Sequence, residues 1–287
     1  MPKTADLRAQ MLRTNTPVEH YPELGLFVKR EDLACLPPGP QFSKTRGVFA
    51  HVCRVAEENP KVHTFGALDT YHSQAGHAVA RACQILGLKC VTFFPEYKHD
   101  PGHRPPQDRA AALGAELVGL PAGMSAVLFH IAKRELRQRY GDRGYMMPNA
   151  LKLDESVEET ANEVGPDCLD ADVVIVPVSS ATIAAGVIKG FIRANRKPNV
   201  VLHMGYSRSH EGLRSYVEQR IETSLMSGNN PSVELIDEGY SYKQQARGEG
   251  APPFPCSPYY DLKAFRWWMR EGREKFNGNK VLLWNIG

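Results

Sequence analysis

Residues Val173-Val174-Ile175-Val176-Pro177 form an unbroken β-branched run that ends in proline. A strand without polar alternation has no face to offer to water, so it belongs inside a parallel sheet covered on both sides. The rest of the chain follows the same plan. Strands are expected at Leu26–Lys29, 62–66, Lys89–Phe94, 116–118, 145–149, Asn199–Met204, 234–236 and Val281–Trp284. Between them, helical periodicity covers about 45–58, a stretch ending near Leu86, and 105–113, 122–140, 154–164, 182–194, 208–226 and 259–276. Residues 1–24 read as an arm and a first turn or helix. Strand–loop–helix–strand order of this kind gives parallel βαβ units. The expected fold class is α/β, with two open, mostly parallel sheets and helices on both faces.

The totals narrow the function. A chain of 287 residues, 42% hydrophobic and 23% charged, is long enough for one large or two medium domains. No apolar run reaches membrane-spanning length. The N-terminus carries no apolar h-region, so no secretory signal is expected. Six cysteines are scattered without a C-x-x-C pair, which points to packed thiols in a reduced, cytoplasmic protein. No Cys/His cluster has zinc-ligand spacing. The net charge of +3 does not by itself indicate nucleic acid. The basic run 133–139 reads as the wet face of an amphipathic helix, with Ile131, Leu136 and Tyr140 turned inward.

In parallel α/β sheets, ligands gather beyond the carboxyl ends of strands, at helix N-termini. Three loops sit there. In the first, Ser43 can cap the following helix and Lys44 stands in its first turn. A cation there opposes the helix dipole, and a lysine that sheds its proton easily becomes a nucleophile. A solvated surface lysine would be the plain alternative. The second loop, Gly66–Gln74, offers Thr70, Tyr71, His72 and Gln74 with free amides, or else a simple N-cap turn. The third, Val178–Thr182, sets Ser179, Ser180 and Thr182 around the small Ala181 at a helix start. Hydroxyls, free amides and a helix dipole make a phosphate site; a serine-rich cap is the alternative. The turn at 99–104 reads as a solvated loop, with a lid or anion contact as the other possibility. Neither G-x-G-x-x-G nor G-x-x-x-x-G-K-[ST] occurs at a strand–helix junction, which counts against an unrelated nucleotide-binding fold.

Together these segments resemble the fold-type II pyridoxal-phosphate enzymes, the tryptophan-synthase-β-like superfamily. They are most similar to its 1-aminocyclopropane-1-carboxylate deaminase and D-cysteine desulfhydrase branch. Lys29-Arg30-Glu31-Asp32-Leu33 and Ser43-Lys44-Thr45-Arg46 resemble K-R-[DE]-D-L and N-K-T-R. Residues 66–72 resemble G-G-x-x-S-N-H, 110–118 resemble A-x-x-x-G-A-E, and 178–182 resemble G-T-G-G-T. Residues 257–263 resemble the helix start D-P-x-Y-x-x-K, and 281–287 resemble the closing V-L-F-x-H-T-G-G.

The resemblance implies a cofactor, pyridoxal 5'-phosphate, in a cleft between a larger domain (1–47 and 165–287) and a smaller one (48–164). Lys44 would hold the cofactor as a Schiff base and shuttle protons. Ser179, Ser180, Ala181 and Thr182 would bind its phosphate, Tyr71 would lie near its ring oxygen, and Asn285 would face its ring nitrogen. Tyr260 would be an acid/base group, and Asp69, Thr70, His72 and Gln74 would meet the substrate. Family members are commonly homodimers. The implied activity is lyase or deaminase chemistry at the α-carbon of an amino acid or amino-acid-like group: elimination, deamination or decarboxylation.

Departures from the family pattern bear on the substrate. Tyr71 replaces an Asn, Ser179-Ser180-Ala181 replaces a glycine-rich cradle, Phe42-Ser43 replaces Gly-Asn, and Asp69 stands where a substrate carboxylate is usually received. They leave room for a larger substrate, such as a glycyl group carried on a thymine nucleotide or DNA, as in phage base hypermodification. A non-catalytic phosphate-ligand-binding homologue is the other alternative, and retention of Lys44 argues against it.

Overall fold

The computed structural model describes residues 4–98 and 102–287. His99, Asp100 and Pro101 of the 99–104 loop lie outside the described residues. In chain order the elements are α1 (Thr4–Met11), β1 (Val18–Tyr21), β2 (Leu26–Arg30), α2 (Thr45–Glu58), β3 (Thr64–Leu68), α3 (Ala75–Leu86), β4 (Lys89–Glu96), α4 (Pro105–Ala112), β5 (Glu116–Pro121) and α5 (Ser125–Tyr140). They continue with β6 (Gly144–Met146), α6 (Asp154–Asn162), β7 (Val173–Val178), α7 (Thr182–Arg193), β8 (Asn199–Met204), α8 (His210–Ile221), β9 (Ser232–Ile236), α9 (Asp261–Trp267) and β10 (Val281–Asn285).

The chain folds into two compact units, Met1–Arg13 with Cys35–Glu155 and Thr14–Ala34 with Ser156–Gly287. These limits differ from the expected domains, which kept residues 1–47 in the larger one. The reason is local pairing. Leu36 N–H donates to the Met11 carbonyl (2.8 Å) and Leu12 bridges Cys35, so α1 and the Lys44 segment join the first unit.

The first unit carries a wholly parallel sheet in the order β5-β4-β3-β6. Every residue of β3 is buried, as its lack of polar alternation requires. Helix α2 buries Val48, Phe49, Val52 and Val55 at helical spacing, and these pack with Val79 and Cys83 of α3 and with Phe65. On α5, Leu136 is buried, Ile131 and Tyr140 are half-buried, and Lys133, Arg134, Arg137 and Arg139 face water.

The second unit carries the sheet β1-β2-β10-β7-β8-β9, parallel except where β1 pairs antiparallel with β2. Strand β7 lies between β10 and β8 and is buried along its whole length. Two features were not expected from sequence. Strand β1 is a short, polar edge strand whose pairing with β2 turns on Gly25, held at φ 62°. The helix expected over 259–276 runs from Asp261 to Lys275 but widens by one residue in the turn Trp268–Gly272. That turn leaves both Trp267 and Trp268 buried, with Trp268 Nε1 donating to the Leu24 carbonyl (2.9 Å).

Helix α7 reaches residues 157–164 through two glycines. A Cβ on Gly186 would lie 2.5 Å from Thr160 Cβ and 2.7 Å from the Val157 carbonyl; one on Gly190 would lie 2.7 Å from the Ala161 carbonyl. Glycine in a helix interior costs about 1 kcal/mol against alanine, so close backbone approach explains its presence. Gly186→Ala is therefore expected to destabilise the protein by roughly 1–3 kcal/mol despite its better helix propensity. A urea midpoint equal to or above that of the wild type would refute this packing account.

Candidate active site

In the first unit, Lys44 is the N-cap residue of α2 and its side chain is buried. Its Nζ donates to the carbonyls of Ala150 (2.6 Å) and Leu151 (3.3 Å), in the loop that follows β6. Those two residues are held at φ 58° and 48°, a left-handed conformation that non-glycine residues seldom adopt. The loop thus receives the amine with strained backbone. The expectation that Ser43 caps α2 does not hold. Lys44 already has helical φ and ψ, no side chain caps the helix, and Ser43 Oγ is buried with no partner among the described residues.

The loop after β3 carries Asp69, Thr70, Tyr71, His72 and Gln74. Thr70, Tyr71, His72 and Gln74 are half-buried, while Asp69 is fully buried. Its Oδ1 accepts the N–H of Gly76 in the first turn of α3 (2.7 Å). A Cβ on Gly76 would lie 2.4 Å from Thr92 Cγ2 and 2.9 Å from Oδ2, which accounts for glycine there. Asp69 was expected at the substrate; its geometry instead makes it the acid under the α3 N-terminus, where the helix dipole favours a carboxylate. Tyr71 packs edge-on against Tyr97 (5.8 Å) and lies under the Arg104 guanidinium (4.2 Å).

In the second unit, β7 ends in Ser179-Ser180-Ala181-Thr182. Ala181 takes the left-handed N-cap conformation (φ 67°) in place of the glycine of the family pattern, and no side chain caps α7. Ser180 Oγ lies 3.0 Å from Thr182 Oγ1, which lies 3.1 Å from the Tyr216 hydroxyl. The first-turn amides of a helix have no intrahelical acceptor. With three adjacent hydroxyls and the dipole of a 12-residue helix, this end of α7 has the donor set of a phosphate site. Ser179 Oγ sits 3.5 Å from the Tyr260 hydroxyl. Burial pushes the Tyr260 phenol well above its ordinary value, and the nearby Tyr242 and Tyr206 add to the effect.

Asn285 ends β10, fully buried. Its amide donates to Asp32 Oδ1 (3.0 Å) and to the Pro255 carbonyl (2.8 Å). Both amide hydrogens are thereby committed. Among the described residues its Oδ1 accepts from the Cys256 thiol, at 3.9 Å, so the amide hydrogens that would face a ring nitrogen are engaged within the protein. Two groups of the 257–263 segment received no role in the sequence reading. Asp261 Oδ1 accepts the Ile286 N–H (2.7 Å) and fixes the chain end, and burial raises its carboxyl to about 7. Lys263, fully buried, donates to the Gly205 carbonyl, and burial lowers its ammonium to about 8. The signal available in sequence was a charged pair on the apolar face of a helix rich in aromatics.

A buried amine in one loop and a phosphate-type donor set in another are what pyridoxal phosphate requires of a chain. Residues 9–241 match the family described as pyridoxal-phosphate dependent enzyme. The chain belongs to that family. It is also 46% identical, over 96% of its length and 100% of the relative's, to a glycyl-dTMP PLP-dependent decarboxylase of Pseudomonas phage M6. Among solved structures, an ACC deaminase homologue superposes with a TM-score of 0.78 at 18% identity, covering 100% of this chain and 95% of that one. A fungal L-serine ammonia-lyase from Rhizomucor miehei does so at 0.66 and 16%, covering 97% and 95%. The protein is thus a pyridoxal-phosphate-dependent enzyme of fold type II acting on an amino-acid-like group. No described helix is long and apolar enough to cross a membrane.

Burial raises the Asp69 carboxyl from 3.8 to about 7, against the opposing Gly76 N–H. Below pH 4 the folded and unfolded chains both hold this proton. As pH rises toward 7 the unfolded chain ionises first, so the contribution to stability is lost across that window, by at most on the order of 4 kcal/mol. Asp69→Asn keeps an acceptor for Gly76 and cannot ionise. It should match the wild type near pH 4 and exceed it by about 2–4 kcal/mol at pH 8, read from urea midpoints. An offset independent of pH would sink this assignment.

Proposed function

We propose that this enzyme removes carbon dioxide from a glycyl-type amino-acid group carried on a thymine nucleotide. The observation that carries the reading is the 46% identity across the full length of the phage glycyl-dTMP decarboxylase, extending through both units. It is supported by Lys44 being buried and held on two carbonyls, as an amine reserved for chemistry should be.

Pyridoxal phosphate, held at Lys44, would supply the electron sink for breaking a bond to the α-carbon. The rest falls to the chain. Ser179, Ser180 and Thr182, with the first amides of α7, hold the phosphate and orient the cofactor. Lys44 Nζ would deliver a proton to the α-carbon after carbon dioxide leaves. Tyr260 keeps its proton at neutral pH, so it acts as a hydrogen-bond donor or acid and not as a base. Thr70, His72 and Gln74 line the half-buried loop that meets the substrate carboxylate. Stripping water from that carboxylate favours its loss as an uncharged gas.

Carbon dioxide release from glycyl-dTMP and from free amino acids tests the reading. The wild type should turn over the nucleotide substrate alone. Lys44→Ala should lose roughly 10³-fold or more, because covalent attachment and proton delivery disappear together. Borohydride reduction should fix the cofactor on Lys44. Attachment to another lysine, or turnover of free amino acids in place of the nucleotide substrate, would refute it.

A further inference from the structure

The loops that follow β7 and β8 are joined, since the Gly205 N–H donates to the Val178 carbonyl (2.8 Å). Gly205 also makes room for Tyr260: a Cβ there would sit 2.6 Å from its ring. The buried Lys263 anchors the same loop through the Gly205 carbonyl. Next along the chain, Tyr206 meets Tyr242 edge to face, with ring centres 5.1 Å apart at 89°. Both rings are half-buried. Two residues further, the Arg208 guanidinium lies 6.0 Å from the Tyr206 ring. Its Nη2 is shut off from water and has no acceptor among the described residues.

Removing carbon dioxide from an amino-acid group calls for none of these three side chains. Their chemistry is that of a different ligand. Aromatic faces accept a flat, uncharged ring whatever its edge pattern. A guanidinium with an unsatisfied buried N–H is costly, and its planar fork matches a phosphate.

We infer that Tyr206, Tyr242 and Arg208 read the nucleotide part of the substrate beyond the ends of β8 and β9. The two rings take the pyrimidine and Arg208 takes the phosphate. The inference rests on the proposed thymine-nucleotide substrate and adds the residues that select it. The phosphate recognised has the same chemistry whether it is a 5'-monoester or a diester within DNA.

The test uses the holoenzyme, with dTMP, thymidine and the dinucleotide TpT as competitors of carbon dioxide release and as titrants in calorimetry. The wild type should bind dTMP or TpT about tenfold or more tighter than thymidine. Preference for dTMP assigns a monoester, and preference for TpT a diester. Arg208→Ala should abolish the preference and leave thymidine binding unchanged, and Arg208→Lys should restore part of it. Tyr242→Ala should weaken all three ligands about tenfold, whereas Tyr242→Phe should keep them. For the Arg208 variants KM should rise with kcat within about twofold and the cofactor absorption band unchanged, which separates a lost contact from a lost fold. A dTMP-to-thymidine ratio that survives Arg208→Ala overturns the inference and leaves the decarboxylase reading standing. Failure of all three ligands to bind, with turnover of free amino acids, overturns both.

Discussion

Four consecutive charged residues, Lys29-Arg30-Glu31-Asp32, are buried at the end of β2, and the second unit depends on how they are paired. Lys29 donates to the Thr16 carbonyl (2.7 Å) and to Glu163 (3.0 Å). Arg30 grips Asp32 through two bonds, 2.9 and 2.8 Å, and reaches Glu19. The Thr16 hydroxyl donates to Glu31. Asp32 in turn accepts from Asn285 at the end of β10. An unpaired charge at this depth would cost several kcal/mol, so each ion is tolerable only because the others are present. The network ties the edge strand β1, the adjoining β2 and β10, and the segment at residue 163 into one arrangement.

That constraint reaches the chemistry through the strand ends. Parallel strands leave their carboxyl ends and the following helix N-termini on one side, where free amides favour anions. In the second unit this side carries Ser179–Thr182, Gly205–Arg208 and Asn285. In the first it carries Asp69–Gln74 and the loop that receives Lys44. Three of the six non-glycine residues held at positive φ among those described lie in these places: Ala181 in one unit, Ala150 and Leu151 in the other. Non-glycine residues in left-handed conformations persist only where surrounding structure holds them, and they cluster where ligands are handled.

Much of the fold was legible in the chain. The unbroken apolar run at β7 announced a buried parallel strand, and the helices α2, α3 and α7 showed clear apolar periodicity. Strand β1 was not legible because an edge strand needs only a partner, not an apolar face. The wide turn at Trp268–Gly272 was hidden because a helical pattern does not reveal one extra residue in a turn. At the site, Lys44 and the hydroxyl loop were readable as residue types at a strand–helix junction. The locations of Asp69 and Asn285 were not, since a polar side chain can turn toward a ligand or into the protein without changing the sequence pattern.

What the sequence by itself determined is the class of fold, because periodicity and residue type are local properties; the cofactor followed from the resemblance of its ordered motifs to a known family. Only the tertiary structure decided which polar groups are spent inside the protein. Asp69 is taken by the first turn of α3, Asn285 by Asp32 and Pro255, and Lys263 by Gly205. It also decided that Tyr206, Tyr242 and Tyr260, far apart in the chain, gather beside Ser179. The physical reason is that burial and hydrogen-bond partnership depend on what other segments bring within about 3 Å, a distance that sequence spacing does not encode.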